Sequence, residues 1–352
     1  MYADWMPPAD RPLEEADVPE AALAGKTVAV IGYGTMGRAH ALNLRDSGVA
    51  VVVGARPESR RGDLARSELF SVMDVAAATS AADVVMLMLP DEAMKSVWTE
   101  AVEPHLQAHA TVGFAHGFAV AFDQIDPGDQ ACFLAAPKGQ GDMLREAYLQ
   151  DSGVPGLLAV TESSPPGTWA IAAAYARAVG CLKGGGWRTT FRDECVADQF
   201  GEQTVLCGGV IELLQAAFDT LTARGYDQAN AYFECVHELK LITDLLHRYG
   251  IDGMRRRISP TAAYGGLSRG PRLIDAGVRD RMHAMLDEIE DGRFAGEFLE
   301  RHDDPDAGTR ALADHEAATP LAAAGRALQA RLASLSSDQR TNDSVTREGD
   351  PQ

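Results

Sequence analysis

A short apolar run, Thr27 to Ile31, leads directly into the glycine-rich segment Gly32-Tyr33-Gly34-Thr35-Met36-Gly37, which opens a helix-like run from Arg38 to Ser47. Glycines at a strand-to-helix turn let the backbone approach a pyrophosphate, and the helix N-terminus stabilises the phosphate charge. The same pattern also occurs as a tight turn without a ligand. Its position between a strand and a helix favours a dinucleotide-binding Rossmann domain.

The end of the second apolar run predicts which dinucleotide is bound. Enzymes that use NAD place Asp or Glu there, on the ribose hydroxyls. This chain has a basic cluster with one hydroxyl, namely Arg56, Ser59, Arg60 and Arg61. Guanidinium groups suit the 2′-phosphate of NADPH, although a solvated basic loop has the same composition.

Short apolar runs continue to about residue 190 and predict a parallel sheet covered on both faces. They are Val49–Val53, Val84–Leu89, Ala110–Phe114, Cys132–Ala135 and Leu157–Thr161. Beyond that point, helical spacing predicts helices over Asp198–Arg224, Ala229–Tyr249 and Asp275–Asp291. We therefore expect an acidic arm at 1–24 whose composition allows disorder, an α/β Rossmann domain at 25–189, an all-α domain at 190–333 and a disordered tail at 334–352.

Composition narrows the partners and the compartment. With 32 Lys and Arg against 51 Asp and Glu, the net charge of -19 disfavours nucleic acid and anionic membranes. No uninterrupted apolar run approaches the roughly 20 residues of a membrane span, and the N-terminus does not resemble a secretory signal. We expect a cytoplasmic protein. Its five cysteines show no C-x-x-C pair and are expected to be buried free thiols.

Carboxylates interrupt two otherwise apolar helical segments. Asp198 and Glu202 stand four residues apart, and Glu234 and Glu238 repeat the spacing, which places each pair on one helix face. Hard oxygen ligands of this kind suit Mg²⁺. The alternative is that these acids pair with neighbours such as Lys240 or Arg192, or lie on a solvated face.

Two further side chains follow the ends of predicted strands, where ligands of open α/β sheets bind. His116 lies in FAHGF and Lys138 in APKGQG. Both are candidates to face a nicotinamide or an anionic substrate. A loop histidine and a solvated lysine remain the alternatives.

The chain resembles ketol-acid reductoisomerases of the short class, from about Ala24 to Ser334. The segments that carry the resemblance are GKTVAVIGYGTMGRAHALNLRDSG, MLPDE, FAHGF, APKGQG, DQFGEQTVLCGG, AYFECVHELKLITDLL and ISPTAAYG. The resemblance implies rearrangement of 2-acetolactate or 2-aceto-2-hydroxybutyrate and reduction by NADPH to a 2,3-dihydroxy acid. It also implies a knotted helical domain and two Mg²⁺ ions in an active site shared across a homodimer.

The resemblance assigns roles to single residues. Asp198 bridges the two metal ions, Glu202 completes one metal site, and Glu234 and Glu238 come from the partner subunit. Ser259 binds the substrate together with Glu238. The catalytic set is His116, Lys138, Glu194, Glu202 and Glu238. The cofactor set adds Pro90, Asp91, His116 and Gly141 to the glycine-rich segment and the basic cluster.

The chain departs from the family pattern beside these positions, at Met36, Arg38, Gln140, Asp142, Arg257, Pro260 and Ala263. Three hypotheses remain open. The chain is a reductoisomerase of valine and isoleucine biosynthesis, a related reductase that acts on a different 2-keto or 2-hydroxy acid, or a catalytically silent NADPH-binding protein.

Overall fold

The computed structural model describes residues 4–19, 21–304 and 306–332. The chain divides after Asp198 into two compact units. The first unit is an α/β domain and the second is helical. The tail predicted at 334–352 lies outside the described residues, and the predicted knot stays a prediction.

The first unit contains one eight-stranded sheet in the order β3-β2-β1-β4-β5-β6-β7-β8. Its strands are β1 (Thr27–Ile31), β2 (Ala50–Gly54), β3 (Ser71–Met73), β4 (Val84–Leu87), β5 (Thr111–Phe114), β6 (Ala131–Pro137), β7 (Gly156–Val160) and β8 (Gly186–Arg188). Every residue of β4, β5 and β6 is buried, which explains why these strands read as continuous apolar runs.

The predicted parallel sheet is confirmed, with one antiparallel pair near one edge. Strand β7 runs antiparallel to β6 with Gly156 opposite Pro137, and β8 runs parallel to β7. The chain therefore re-enters the sheet at the end where β6 leaves it. An apolar run carries no information about strand direction. Strands β3 and β8 were not predicted at all, because three residues are too few to show a pattern.

Helices cover both faces of the sheet. They are α1 (Thr35–Asp46), α2 (Arg60–Ser67), α3 (Val75–Ser80), α4 (Asp91–Val97), α5 (Phe118–Ala121), α6 (Gly141–Leu149), α7 (Thr168–Val179) and α8 (Phe191–Gly201). One core cluster joins β1 to α1 and α7 through Val30, Leu44 and Tyr175. A second cluster joins the other face of β1 to α3 through Ile31 and Ala78.

The described part of the N-terminal arm, residues 4–19 and 21–24, is folded, contrary to the disorder that its composition allows. Leu13 exchanges two backbone hydrogen bonds with Gly186 of β8, at 2.7 and 2.9 Å. Leu13 and Val18 are buried in the main core cluster. Arg11 clamps Asp17 through two hydrogen bonds of 2.7 and 2.6 Å. The arm therefore covers the sheet edge that β8 would otherwise leave open.

The second unit contains α9 (Gly209–Thr222), α10 (Gln228–Tyr232), α11 (Glu238–Arg255), α12 (Pro260–Leu273), α13 (Ala276–Glu290), α14 (Arg293–Arg301) and α15 (Thr309–Ala317), followed by helical residues 320–332. Two predicted helices are less regular than expected. π-Helical turns at Glu202–Leu206 and Phe233–His237 interrupt them. Tyr249 does end a helical segment, because Gly250 adopts φ 66° within α11.

Apolar side chains of the second unit remain exposed in a single chain. The helical run Phe191–Thr222 is long and apolar enough to cross a membrane, although none was expected, and 11% of its apolar window is buried. One such run is weak evidence of a span. The exposed side chains include Val205, Leu206, Leu213, Leu241 and Ile251. Cys207 is exposed as well, so the expectation that all five thiols are buried was wrong.

Candidate active site

The glycine-rich segment forms the turn between β1 and α1, as its sequence predicts. Gly32 has φ 99°, and a side chain there would collide with the carbonyl oxygen of Met88. A side chain at Gly37 would collide with the carbonyl oxygen of Gly32. Helix α1 begins at Thr35, so its first N–H groups point out of this turn. The turn has the geometry of a phosphate-binding loop.

A cavity of about 610 Å³ lies beside this turn. Its lining includes Gly32, Tyr33, Arg56, Ser59, Arg60, Arg61 and Pro90, all predicted cofactor residues. Arg61 also reaches the phosphate-binding loop, since a Cβ at Gly34 would lie 2.9 Å from its Nη1 atom. The cavity thus combines an apolar wall with guanidinium groups, as a nucleotide with phosphates requires.

The remaining predicted cofactor residues occupy helix starts or strand ends nearby in the first unit. Asp91 begins α4 and Gly141 begins α6. Gly141 packs so closely on the loop that a side chain there would collide with the carbonyl of Thr35. His116 follows β5. Ser59 has a structural role, because its hydroxyl oxygen accepts the N–H of Gly62 at 3.1 Å and caps α2.

Four polar side chains meet at the carboxyl ends of β5 and β6. Lys138 Nζ donates to Glu194 Oε1 at 2.8 Å and to Asp198 Oδ1 at 3.0 Å. His116 Nδ1 lies 3.1 Å from Glu194 Oε2 and 3.5 Å from Asp198 Oδ2. Sequence position predicted the location of His116 and Lys138. The structure adds that both contact the same two carboxylates of α8.

Glu194 is the buried centre of this cluster, with 1% of its side chain exposed. The backbone N–H of Gly117 donates to Glu194 Oε2 at 2.8 Å. Gly117 must be glycine, because a side chain would collide with the carbonyl of Phe191 at the start of α8. This close approach brings α8 against the turn after β5 and aligns Glu194 with His116.

Electrostatics stabilises the charged forms of the cluster. Burial opposes the charge on Glu194, but His116 and Lys138 outweigh it and lower the pKa of the carboxyl. Burial likewise opposes the charge on Lys138, yet Glu194 and Asp198 raise its pKa. Burial also works against a charged His116, while its contacts with Cys195 and Glu194 raise its pKa. The two carboxylates therefore have cationic partners within the first unit.

The donor set near Asp198 suits a divalent cation. Ligand atoms of His116, Glu194 and Asp198 lie within 4.8 Å of one another. Asp198 keeps 32% of its side chain exposed. Oxygen donors with exposed edges are typical of Mg²⁺ sites that keep water or substrate as further ligands. Asp198, the member of this set that is an oxygen donor with an exposed edge, therefore fits a magnesium ligand by its chemistry.

The predicted residues of the second unit lie on its surface. Glu202 begins one π-helical turn, while Glu234 lies within the other and Glu238 follows it, and all three are exposed. Such turns occur often at functional sites. Lys240 pairs with Asp244 at 2.5 Å, four residues along α11. Ser259 caps α12 by accepting the N–H of Ala262 at 3.1 Å, which leaves its hydroxyl hydrogen available to donate.

Comparison with known proteins decides the family. The domain family described as acetohydroxy acid isomeroreductase, NADPH-binding domain, matches residues 22–185. The family described as ketol-acid reductoisomerase, C-terminal domain, matches residues 191–333. The chain belongs to the ketol-acid reductoisomerase family. A ketol-acid reductoisomerase (NADP(+)) of Kineococcus radiotolerans is 44% identical over 332 residues, which cover 92% of this chain and 95% of the relative.

Solved structures agree with this assignment. An NADH-preferring ketol-acid reductoisomerase from an uncultured archean superposes with a TM-score of 0.86 and 35% identity, covering 90% of this chain and 97% of that one. A semialdehyde dehydrogenase NAD-binding protein from Cupriavidus necator shares only the fold, with 18% identity, a TM-score of 0.57, and coverage of 75% of this chain and 99% of that one. The predicted family, the Rossmann fold followed by a helical domain, the oxidoreductase class and NADP(H) as cofactor are confirmed.

Sequence reasoning missed one pair of residues at the cofactor loop. Glu68 accepts hydrogen bonds from Tyr33 and Arg38. Glu68 lies in the polar stretch RSELF, and Arg38 was noted only as a departure from the family. No local signal joins two residues that are 30 positions apart.

Proposed function

We propose that this reductoisomerase converts 2-acetolactate or 2-aceto-2-hydroxybutyrate, with NADPH and Mg²⁺, to the 2,3-dihydroxy acid. One observation carries the proposal: Lys138, His116, Glu194 and Asp198 form a single cluster at the carboxyl ends of β5 and β6. This is the edge at which open α/β sheets bind ligands. The phosphate-binding turn after β1 opens at the same edge.

The chain's own side chains have separable tasks in this reaction. Glu194 holds the Lys138 ammonium and the His116 imidazole in place from a site that excludes water. Lys138 presents positive charge to an anionic substrate. Ser259 donates its hydroxyl hydrogen to the substrate carboxylate while its oxygen caps α12. Substrate orientation of this kind lowers the entropic part of the barrier.

Asp198 and Glu202 are the proposed magnesium ligands of this chain, joined by Glu234 and Glu238 of the partner subunit. The Asp198 carboxylate, which keeps an exposed edge, would hold magnesium from α8. When bound, the metal ions would polarise the carbonyl and hydroxyl oxygens of the substrate during alkyl migration, and NADPH would supply the hydride for reduction.

A homodimer with a shared active site is part of the proposal. The exposed apolar side chains of the second unit, among them Leu206, Leu213 and Leu241, support a protein partner. A net charge of -19 disfavours nucleic acid and anionic lipid as the partner. We assign the protein to the cytoplasm and propose no membrane association.

The test follows NADPH oxidation at 340 nm with 2-acetolactate, in Mg²⁺ and again in EDTA. We expect turnover only with Mg²⁺. Asp198→Asn should abolish it and leave NADPH binding, measured by fluorescence, close to wild type. Asp193→Asn is the matched control, because Asp193 is an exposed acid on the same helix outside the cluster.

Two outcomes would contradict the proposal. Wild-type activity in Asp198→Asn would show that Asp198 is not an essential magnesium ligand. No turnover of 2-acetolactate, with retained reduction of 3-hydroxy-3-methyl-2-oxobutyrate or another keto acid, would instead favour a reductase with a different substrate. Magnesium-dependent turnover at a catalytic rate would eliminate a silent NADPH-binding protein.

A further inference from the structure

Three side chains form a polar cluster behind the phosphate-binding loop. The Tyr33 hydroxyl donates to Glu68 Oε2 at 2.7 Å. Arg38 donates to the same carboxylate through Nε at 3.0 Å and through Nη2 at 2.5 Å. An arginine that grips a carboxylate with two nitrogens fixes both distance and orientation. Glu68 is therefore held in a defined position from which it binds Tyr33.

The cluster joins the phosphate-binding loop and the start of α1 to the end of α2, about 30 residues further along the chain. Tyr33 lies inside the phosphate-binding loop, Arg38 lies in the second turn of α1, and Glu68 is the C-cap of α2. Helix α2 begins directly after Ser59, so its first two residues are Arg60 and Arg61 of the basic cluster. The loop at one end of the cofactor cavity is thus tied to the helix that carries the guanidinium groups.

Packing around Tyr33 leaves its hydroxyl one protein partner among the described contacts. The Tyr33 side chain is 2% exposed, and its ring meets Phe70 edge-on with centroids 5.8 Å apart. Arg45 stacks over Phe70 from 4.8 Å and donates to the Glu68 carbonyl at 2.7 Å. The ring is therefore fixed by apolar contacts, while the position of the hydroxyl depends on Glu68.

Charge keeps the cluster in one protonation state. Arg38, opposed by burial, lowers the pKa of Glu68. Burial and the neighbouring carboxylate raise the pKa of Tyr33, so the phenol remains a donor. Asp142, in the first turn of α6, adds a favourable Coulomb interaction with Arg38. Arg38 and Asp142, both departures from the family pattern, thus lie close enough to interact.

We propose that Arg38 and Glu68 are positioning residues for the cofactor, which hold Tyr33 and with it the phosphate-binding loop in the conformation that accepts the pyrophosphate. The inference rests on the NADPH site of the proposed function. Neither residue touches the reacting atoms. Their contribution is to order the loop before the cofactor arrives, which reduces the entropy lost on binding.

The test measures NADPH affinity by fluorescence, without substrate, in Tyr33→Phe, Glu68→Gln and the double variant. Tyr33→Phe keeps the ring and its packing, so the fold is preserved. Both single variants lose the charge-assisted hydrogen bond between Tyr33 and Glu68, and this shared loss predicts about a tenfold weaker Kd in each. We expect KM for NADPH to rise by the same factor, with kcat at saturating NADPH unchanged. The double variant should be little weaker than either single variant.

Asp151→Asn is the matched control. It breaks the ion pair between Asp151 and Lys183, which involves neither the phosphate-binding loop nor the residues of the cluster. We expect no change in Kd there. Unchanged Kd in Tyr33→Phe and Glu68→Gln, or lower melting temperatures with wild-type Kd, would overturn the inference. A wild-type protein that binds NADPH but rejects 2-acetolactate would contradict the proposed reaction and leave this test intact.

Discussion

Lys138→Met gives the sharpest energetic test of the cluster at the ends of β5 and β6. The substitution keeps most of the side-chain length and removes the cation that lies 2.8 Å from Glu194 and 3.0 Å from Asp198. Glu194 is then a carboxylate with 1% of its side chain exposed, and its remaining partners among the described residues are His116 and the N–H of Gly117. The variant should be unstable for that reason.

The magnitude follows from the geometry. At an effective dielectric constant of about 20, the attraction between the Lys138 and Glu194 charges at 2.8 Å is about 6 kcal/mol before desolvation is counted. Rehydration of the lysine in the unfolded chain offsets much of this, and removal of one partner of a buried pair typically costs about 3–5 kcal/mol. Because 33% of the Lys138 side chain is exposed, we expect about 3 kcal/mol, at the lower end of that range.

Urea unfolding in EDTA, followed by tryptophan fluorescence, measures this loss, because all four tryptophans lie in the first unit. Glu194→Gln in the Lys138→Met background should recover most of it. The control is Lys183→Met, which removes the exposed partner of Asp151 and should cost less than about 1 kcal/mol. Equal losses in the two single variants would refute the idea that Lys138 compensates a buried charge.

Three further predictions concern the first unit. Ser59→Asp should shift preference toward NADH without loss of stability, because Asp also caps helices while its charge repels the 2′-phosphate; an unchanged ratio of NADPH to NADH activity would contradict this. Leu69→Gly should raise the free energy of unfolding by about 0.5–1 kcal/mol, because Leu69 is exposed and has a φ of 68°, which favours glycine. Leu64→Gly, within α2, is the control and should lower it by about 1 kcal/mol in the same urea titration. Burial lowers the pKa of His40 to about 3 in the folded protein, against about 6.5 in the unfolded chain. Neutral His40 therefore contributes no penalty above about pH 6.5, and the free energy of unfolding falls as pH drops below that value, by about 2 kcal/mol at about pH 5. His40→Leu should flatten that part of the stability profile.

The sequence predicted the sheet well where strands are buried on both faces. Strands β4, β5 and β6 lie in the middle of the sheet, so their apolar runs are long and uninterrupted. The edge strands β3 and β8 have three residues each and half-exposed surfaces, so they resemble loops. The direction of β7 depends on where the chain returns to the sheet, which no local pattern records.

The candidate site was predictable in its parts and not in its assembly. Strand ends indicated His116 and Lys138, and helical spacing indicated Asp198. Their contacts with Glu194 depend on α8 packing against the turn at Gly117, across 78 positions between His116 and Glu194. The π-helical turns in the second unit were not predicted either, because the helical pattern in the sequence continues through them.

The departures from the family pattern illustrate the same limit. Pro260 occupies the first position of α12, where a missing N–H costs nothing. Arg257 stacks over Tyr249 with its guanidinium carbon 3.7 Å from the ring centre and donates to the Gly253 carbonyl at 3.0 Å. Arg38 is engaged by Glu68.

Each of these three substitutions therefore has a partner or a backbone role within its own unit. The Arg38 guanidinium binds Glu68, and the Arg257 guanidinium stacks on Tyr249 and donates to the Gly253 carbonyl. Pro260 has no polar side-chain group to offer a substrate. From the sequence alone these three residues look like changes beside the active site, because a sequence shows only which residues are neighbours along the chain. The contacts of Arg38 and Arg257 and the N-terminal position of Pro260 in α12 supply a structural reason for these three residues.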